Sequence, residues 1–452
     1  MKHYNPEYPT LKEIETNLFL LLQKIFGELL KRILEDLDNQ LAECRDKKRF
    51  RLKDKRDIRL DTMFGPLTFC RHYYKDRETG QYVSLLDRYL GYEGQKGFSP
   101  LLEEYAMELA VTGSSYRHAI HEIERFLGYR PMSHEALRQH LLAAEVCAPE
   151  EKQEAPEVLF VETDGLFVKQ QKGKRNKRKK ATEQKIAMVH MGWATDGSKR
   201  RQLVHKRHYY HEGNEPFWEG FETFLEENYN YDATKTLFVI NGDAASWITA
   251  CKDYFGDRAF YHLDRFHVIR DVRQLLQSHP RFKAMYQAIK ENNPDRLIVE
   301  LNSAVGTMAT EEEEKKLEAL IAFITKHKEA LRDYKAWLKE KGIDTSQMYT
   351  MGASEGVMSQ FADRLKQGRS WSQAGVQAMT KMIIALKDQL TVKTLVGLWE
   401  TAQEQQASDR IQRSLHKRYK KQAVHLTRDN IAYLKQSSGT PIYHALKGLV
   451  GF

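Results

Sequence analysis

The sequence predicts a mixed α/β sheet that carries an all-α insertion and is preceded by a smaller α+β region. Three observations predict it. Three β-rich runs, VLFVETDGLFV (158–168), KIAMVHMGWAT (185–195) and RQLVHKRHYYH (201–211), are followed by the helical stretch EPFWEGFETFLEENY (215–229), and then by two apolar runs, KTLFVINGD and RAFYHLD, joined through AASWITACKDYF. Three strands in hairpin connection plus two strands linked by a helix make a mixed sheet. Residues 265–350 hold almost no β signal and are rich in Leu, Ala, Lys and Glu, the composition of helices. The first 150 residues open on an amphipathic pattern and pass into a basic, β-rich block.

In order, Leu18, Leu22, Ile25, Leu29 and Ile33 recur three to four apart within residues 11–46, which predicts an amphipathic helix packed on a partner. KKRFRLKDKRDIRL then turns basic, and TMFGPLTFCRHYYKD alternates around Gly65-Pro66 as a short hairpin or meander would. Its Arg71, His72, Tyr73, Tyr74 and Lys75 read as exposed, a mixture of aromatics and cations suited to phosphates and base faces. Ordinary strand packing accounts for the two tyrosines equally well. Residues 97–146 predict three helices, with Gly128 where a C-terminal cap belongs and Ser133 where an N-cap belongs. The short connection between the last two permits a helix-turn-helix, which would bring His134, Arg138 and Gln139 toward base edges. The polar run APEEKQEAPE (148–157) reads as a linker, and Thr310 to Glu313 as a capping box. Glu355 opens a further helix. Arg364 and Lys366 follow it, Lys366 at a spacing of three turns and therefore on the same face. The division this implies is 1–96 (helix and basic β unit), 97–150 (helical, DNA-binding), 156–270 and 351–400 (two parts of one core), 271–350 (helical insertion) and 401–452 (basic, helical, with RIQRSLHKRYKKQ at 410–422).

At 452 residues the chain is too long for one ordinary core. Its 71 Lys and Arg exceed its 62 Asp and Glu by nine, an excess that matters where it is concentrated. Cys44, Cys70, Cys147 and Cys251 lie far apart with no CxxC pair, which argues against a zinc site or disulfide framework and for a reducing compartment. LFLLL at 18–22 is too short for a signal segment or membrane span. The expectation is a cytoplasmic protein without an anchor. No fixed-period repeat occurs, so solenoids and propellers drop out.

The chemistry concentrates on carboxylates at strand ends. Asp164 follows an apolar run and precedes a glycine, Asp243 ends a second such run, and Asp264 and His267 sit in YHLDRFHVIRD. Acids at the ends of buried strands are costly to keep, and their recurrence predicts a shared site for a hard divalent cation.

Together these residues resemble the RNase H-like catalytic core of DDE transposases. There the first Asp lies on the first strand, the second after the fourth strand, and a Glu on the helix that follows an optional helical insertion. Asp164 in ETDG, Asp243 in NGDAASWI and Glu355 in SEG match one by one, and DRFH (264–267) matches the D-x-x-H element of several transposase groups. Across nearly the whole chain, from RLDTMFGPLTFCRHYYKD through SLLDRYLGY and SSYRHAI to DRFHVIRD, the sequence is similar to the ISLre-two family of bacterial insertion-sequence transposases. The resemblance implies an α/β RNase H-like core and a cytoplasmic, nucleoid-associated bacterial enzyme. Such an enzyme would bind element-end DNA, cut it with two Mg²⁺ or Mn²⁺ ions, and join the 3′ ends to target DNA as a homodimer or larger. Asp164 would bridge both ions, with Asp243 on one and Glu355 on the other. Asp264 and His267 have two readings: catalytic groups, or a hydrogen-bonded pair that holds a strand end.

Between the first two core strands, KQQKGKRNKRKK (169–180) holds eight basic residues in twelve. Lys172, Lys174, Arg175, Lys177, Arg178, Lys179 and Lys180 would hold phosphates near the metals, joined by Arg138, Arg364 and Lys366 elsewhere. A solvated loop is the plainer account of the run. Two rival functions stay open: an RNase H-like nuclease without strand transfer, and a domesticated DNA-binding regulator with an idle site.

Overall fold

A computed structural model describes residues 10–92, 97–149, 151–154, 156–171, 181–195 and 201–401. These form two compact units. One runs to Cys147 and takes in the described residues from Gln389 onward; the other spans Ala148–Asp388. The basic residues at 172–180, residues 196–200 and the region beyond 401 lie outside the described residues. Among the described residues no helix is long and apolar enough to cross a membrane.

The first unit opens with α1 (Leu11–Cys44), started by a capping box in which Thr10 and Glu13 satisfy each other's backbone N–H groups. Its buried positions are Gln23, Gly27, Leu34 and Asp38, whereas Leu18 and Leu22 are exposed. The packed stripe is thus rotated from the one the apolar spacing marks: Leu34 and Asp38 face a twisted β-ribbon, while Gln23 donates to the Phe126 carbonyl (3.3 Å) of a later helix. That ribbon is β1 (Phe50–Thr62) and β2 (Gly65–Asp76), two long antiparallel strands rather than a short hairpin. Thr62 pairs with Gly65, so the turn falls at Met63-Phe64, and Gly65 at φ 103° supplies the left-handed conformation that closes it. Leu30, Leu34, Leu37 and Leu41 of α1 pack on Ile58, Leu60 and Phe69 of the ribbon.

Helices α2 (Pro100–Thr112), α3 (Tyr116–Leu127) and α4 (His134–Ala143) start on Ser99, Ser115 and Ser133, each accepting a backbone N–H three residues on. Gly128 ends α3 at φ 77°, as its position suggests. Strands β8 (Thr391–Lys393) and β9 (Leu398–Glu400) return to this unit, where β8 pairs with Glu145–Val146 and with β9. The buried Glu103 of α2 ties the return down by accepting the Val396 N–H (3.2 Å) and pairing with His140.

In the second unit, β3 (Val158–Lys169), β4 (Ala181–His190), β5 (Arg207–Tyr210), β6 (Leu237–Gly242) and β7 (Ala259–Leu263) form one sheet in the order β5-β4-β3-β6-β7. The first three are antiparallel in sequence, and β6 and β7 run parallel to β3. Parallel strands need both faces covered, which is why VLFV and FVI are apolar without alternation. Leu159, Val161, Phe238 and Ile240 face a large core built with helix α5 (Phe217–Asn228) and with α6 (Arg265–Leu276), α7 (Phe282–Lys290), α8 (Pro294–Asn302) and α9 (Glu311–Lys326). Val158, Phe160 and Val239 face the other way, under Tyr334 and Leu338 of α10 (Tyr334–Glu340) and Met351. Two short helices, Ser246–Thr249 and Cys251–Phe255, join β6 to β7, and α11 (Ser354–Leu365) and α12 (Gln373–Asp388) follow α10.

Close approach of β3 and β6 depends on Gly242, where an added Cβ would lie 2.4 Å from Thr163 Oγ1 and 3.0 Å from Ile248. Gly242→Ala is expected to cost about 1–3 kcal/mol, the usual range for overpacking, read as a lowered midpoint in urea denaturation; an unchanged midpoint would mean that the strands part without strain.

Candidate active site

Register carries the site. On the face toward α10 and α11, side chains of β3, β6 and β7 line up in rows because Val239 pairs with both Phe160 and Phe260, and Asn241 with both Glu162 and His262. The first row, Phe160–Val239–Phe260, is apolar. The second, Glu162–Asn241–His262, is polar and buried throughout, with Asn241 Oδ1 3.0 Å from His262 Nδ1. One pleat further along come Asp164, Asp243 and Asp264. Asp264 follows directly on Leu263, the partner of Gly242, and its N–H donates to the Gly242 carbonyl (2.9 Å). Neighbouring strands lie about 4.8 Å apart, so Asp243 and Asp264, directly after the C-terminal ends of β6 and β7, come level with Asp164 in the middle of β3, where the parallel part of the sheet ends and open α/β sheets receive ligands.

The electrostatics follow from this row. Burial pushes the Asp164 carboxyl up to about 6; Asp243 and Asp264 add to the rise, while the Gly165 N–H (2.7 Å) and His267 oppose it. Asp243 accepts the Ala245 N–H (2.9 Å). Asp264 caps α6 through the Phe266 N–H (2.9 Å) and accepts from Ser354 Oγ (3.4 Å). It therefore belongs to the acidic row and holds two helix starts at once. His267 stands on the first turn of α6, half-buried.

Glu355 arrives by a device that the sequence does not announce. Glu162, 1% exposed, accepts the N–H groups of Gly352 (3.1 Å) and Ser354 (2.8 Å), and so latches the start of α11 onto β3 one pleat from Asp164. An anion there also complements the helix dipole. Burial raises the Glu162 pKa and the nearby Asp264 adds to it, while the N–H groups of Ser354 and Gly352 pull against them. Beyond the other end of α11, the Trp371 N–H donates to the Lys169 carbonyl (2.9 Å) and the Gln171 N–H to the Trp371 carbonyl (2.8 Å). The helix therefore runs alongside β3 in the same direction, with exposed Glu355 in its first turn. The available signal was Glu162 itself, a charge directly after the apolar run VLFV and on the same face as Asp164 by the period of two.

Oxygen-only donors suit Mg²⁺ or Mn²⁺ in chemistry. Among the described residues no three His, Cys, Asp or Glu side chains converge tightly enough to hold an ion as they stand. Asp164 and Asp243 each turn an oxygen to a neighbouring backbone N–H, and Glu355 is exposed to solvent.

Several expectations are corrected. Arg364 is 5% exposed with its guanidinium 5.0 Å from the Trp371 ring centre, so it packs inside the fold rather than facing DNA. Lys366 is exposed but does not share a helical face with Glu355, because α11 ends at Leu365 and the chain turns through Gln367 (φ 55°) and Gly368 (φ 78°). Arg138 is held by Glu135 through two hydrogen bonds from its Nε and one from its Nη2. Reading a base would require it to exchange that partner. His72 and Tyr74 are buried; the His72 N–H and ring both meet Asp38.

Residues 6–400 match the family described as Uncharacterised protein family (UPF0236). The chain belongs to UPF0236. A UPF0236 protein of Streptococcus gallolyticus, described as lying in a vanSb 3′ region, is 27% identical over 395 residues, covering 84% of each chain. A UPF0236 protein of Caldanaerobacter subterraneus subsp. tengcongensis is 24% identical over 461 residues, covering 97% of this chain and 91% of its own, and its name joins eleven gene designations. Among solved structures, the Drosophila P element transposase strand transfer complex aligns with 80% of this chain and 94% of its own at 10% identity and a TM-score of 0.25. Neither figure reaches a level that assigns a fold.

Proposed function

We propose that this UPF0236 protein is a DDE-type DNA transposase with an RNase H-like core, of the insertion-sequence kind that its motifs resemble. The observation that carries the reading is the row Asp164–Asp243–Asp264, in which Asp243 and Asp264 end two parallel strands level with Asp164 in the middle of β3, with Glu355 on a helix latched over the same face. The burial of Asp164 supports it. A carboxyl pushed up to about 6 beside two other acids is relieved by a divalent cation, so the acidic row is costly without one. The Caldanaerobacter name with eleven gene designations adds support of another kind: a self-copying element leaves many copies in one genome.

Bound between Asp164, Asp243 and Glu355, Mg²⁺ or Mn²⁺ would supply an activated water or 3′-hydroxyl and stabilise the leaving oxygen. The chain's own contribution is placement. Asp164 and Asp243 are fixed by strand register, Glu355 by the Glu162 latch, and Asp264 fastens α6 and α11 to the same strand end. His267 stands near enough to lower the Asp164 pKa, and so serves to tune the charge of the row. DNA ends and target DNA are the partners, and pairing two ends calls for at least a dimer.

The test offers labelled element-end duplex and a target plasmid with Mg²⁺ to the wild type, Asp243→Asn and Glu355→Gln. Joined product from the wild type, reduced on the order of a thousandfold in each variant, is expected, since the lost charge stabilisation amounts to several kcal/mol. Cleavage without joining would favour the nuclease, and binding without cleavage a regulator.

A further inference from the structure

The first unit holds a cleft of about 710 Å³ on the β1–β2 ribbon, which the function above leaves unused. Four arginines, Arg56, Arg59, Arg71 and Arg88, line it together with Asp57, Asp61 and Asp87, of which Asp61 pairs with Arg59 and Asp87 with Arg71. Arg71 lies at the inner end, its side chain 16% exposed; Nη1 is paired with Asp87, and its buried Nε–H meets no acceptor among the described residues. An unmet guanidinium N–H costs about 1–3 kcal/mol unless an anion or water answers it. At the rim, Tyr73 and Tyr82 stack with centroids 6.0 Å apart and planes 10° apart. Arg56 sits 4.0 Å over the Tyr73 ring and Lys53 3.8 Å over Tyr82; Arg56 is also hydrogen-bonded to Asp54 (3.2 Å), which a phosphate would have to displace. The ring faces are thus covered by the chain's own cations, and the tyrosines hold charge in place instead of offering surfaces to bases. From Phe50 to Asp76 the ribbon carries seven Lys and Arg against four Asp, with Arg51, Lys53, Lys55, Arg56 and Arg59 strung along its first strand.

We propose that this cleft and its cationic rim form a DNA-backbone site that takes consecutive phosphates of one strand without reading sequence. The ligand is a polyanion because Lys53, Arg56 and Arg59 are strung along a strand three residues, about 10 Å, apart, instead of converging on one point. It is DNA because the site rests on the reading of this chain as a transposase. Lys53, Arg56 and Arg59, all exposed, supply the phosphate contacts and follow the strand outward from Arg71.

The experiment is a salt titration of full-chain binding to random-sequence duplex by fluorescence anisotropy, without divalent cation. It compares the wild type, Lys53→Gln/Arg56→Gln/Arg59→Gln, and a control triple on the same unit, Lys12→Gln/Lys24→Gln/Arg32→Gln. The rim triple is expected to flatten the slope of log affinity against log salt by about 0.9 for each phosphate no longer neutralised, some 2 to 3 in all, equally on AT-rich and GC-rich duplexes. The control should leave it nearly unchanged. Matched melting curves confirm folding of both triples. Equal slopes for the rim triple and the control would overturn the proposal. So would a rim triple that loses stabilisation by millimolar inorganic phosphate while binding DNA as before, which would make the cleft a small-anion site. A wild type that binds no DNA at all sinks the transposase reading as well, whereas an unchanged slope with intact cleavage sinks this site alone.

Discussion

Asp164→Asn is expected to abolish strand cleavage and, at the same time, to make the protein more stable at pH 8. The two effects have one cause. In the folded chain the Asp164 carboxyl is pushed up to about 6 by burial, whereas its ordinary value is 3.8. A raised acid binds its proton more tightly folded than unfolded, so its ionisation opposes folding. The penalty is absent below about pH 4, grows through the window between 3.8 and about 6, and is fully present above it. Asparagine removes it. The gain over wild type should be near zero at pH 4 and on the order of 2 kcal/mol at pH 8, since a tenfold change in proton affinity is worth about 1.4 kcal/mol and the amide keeps only part of the hydrogen bond from Gly165. In a domain of this size that is roughly 4–8 °C in Tm. Mg²⁺ or Mn²⁺ should then raise the Tm of the wild type at pH 8 and leave the variant unmoved. Thermal scans at pH 4 and 8, with and without cation, decide it. A gain that does not change with pH would mean that Asp164 is not strained by its charge.

Glu162→Leu should have the next largest effect. It removes the acceptor of the Gly352 and Ser354 N–H groups, and two buried donors left unmet cost about 1–3 kcal/mol each. Removing a carboxylate whose own burial is unfavourable returns part of that. A net loss of about 2 kcal/mol is expected. The larger consequence is for Glu355, one residue beyond Ser354. A displacement of about 1 Å at a reacting centre can cost on the order of a hundredfold in rate, so kcat should fall by about that factor while KM for DNA stays put. Glu162→Gln keeps a carbonyl oxygen within reach of both N–H groups and should recover most of kcat. A merely structural role would move stability and leave kcat of the folded fraction alone. Equal kcat in all three proteins would remove Glu162 as a positioning residue.

How much of this was legible in the chain depends on the range of the interaction. The strands of the second unit, the helical stretch between Asp264 and Glu355, and the caps at Ser133, Gly128 and Thr310 are set by side chains within a few residues of one another, and local periodicity exposes them. Faces were harder. Alternation from Arg71 to Lys75 announces two sides of a strand but not which side meets α1, and the packing of α1 buries His72 and Tyr74 while Arg71 and Tyr73 line the cleft. The same holds for Arg364: its charge suggests solvent, but its place on α11 turns it to Trp371.

By itself the sequence determined that carboxylates follow three apolar β runs, that a fourth opens a helix after a long helical stretch, and that a basic ribbon precedes them, because composition and spacing are written in the chain; that Asp164 stands inside β3, which continues to Lys169, instead of ending it was not legible. Only the tertiary structure decided that Asp164, Asp243 and Asp264 stand in one row, that Glu162 fastens the helix bearing Glu355, and that residues after Asp388 return to the first unit. Strand register and helix docking are long-range choices, set by which apolar faces exclude water together, and a one-residue slip in pairing would have turned each acid to the opposite face.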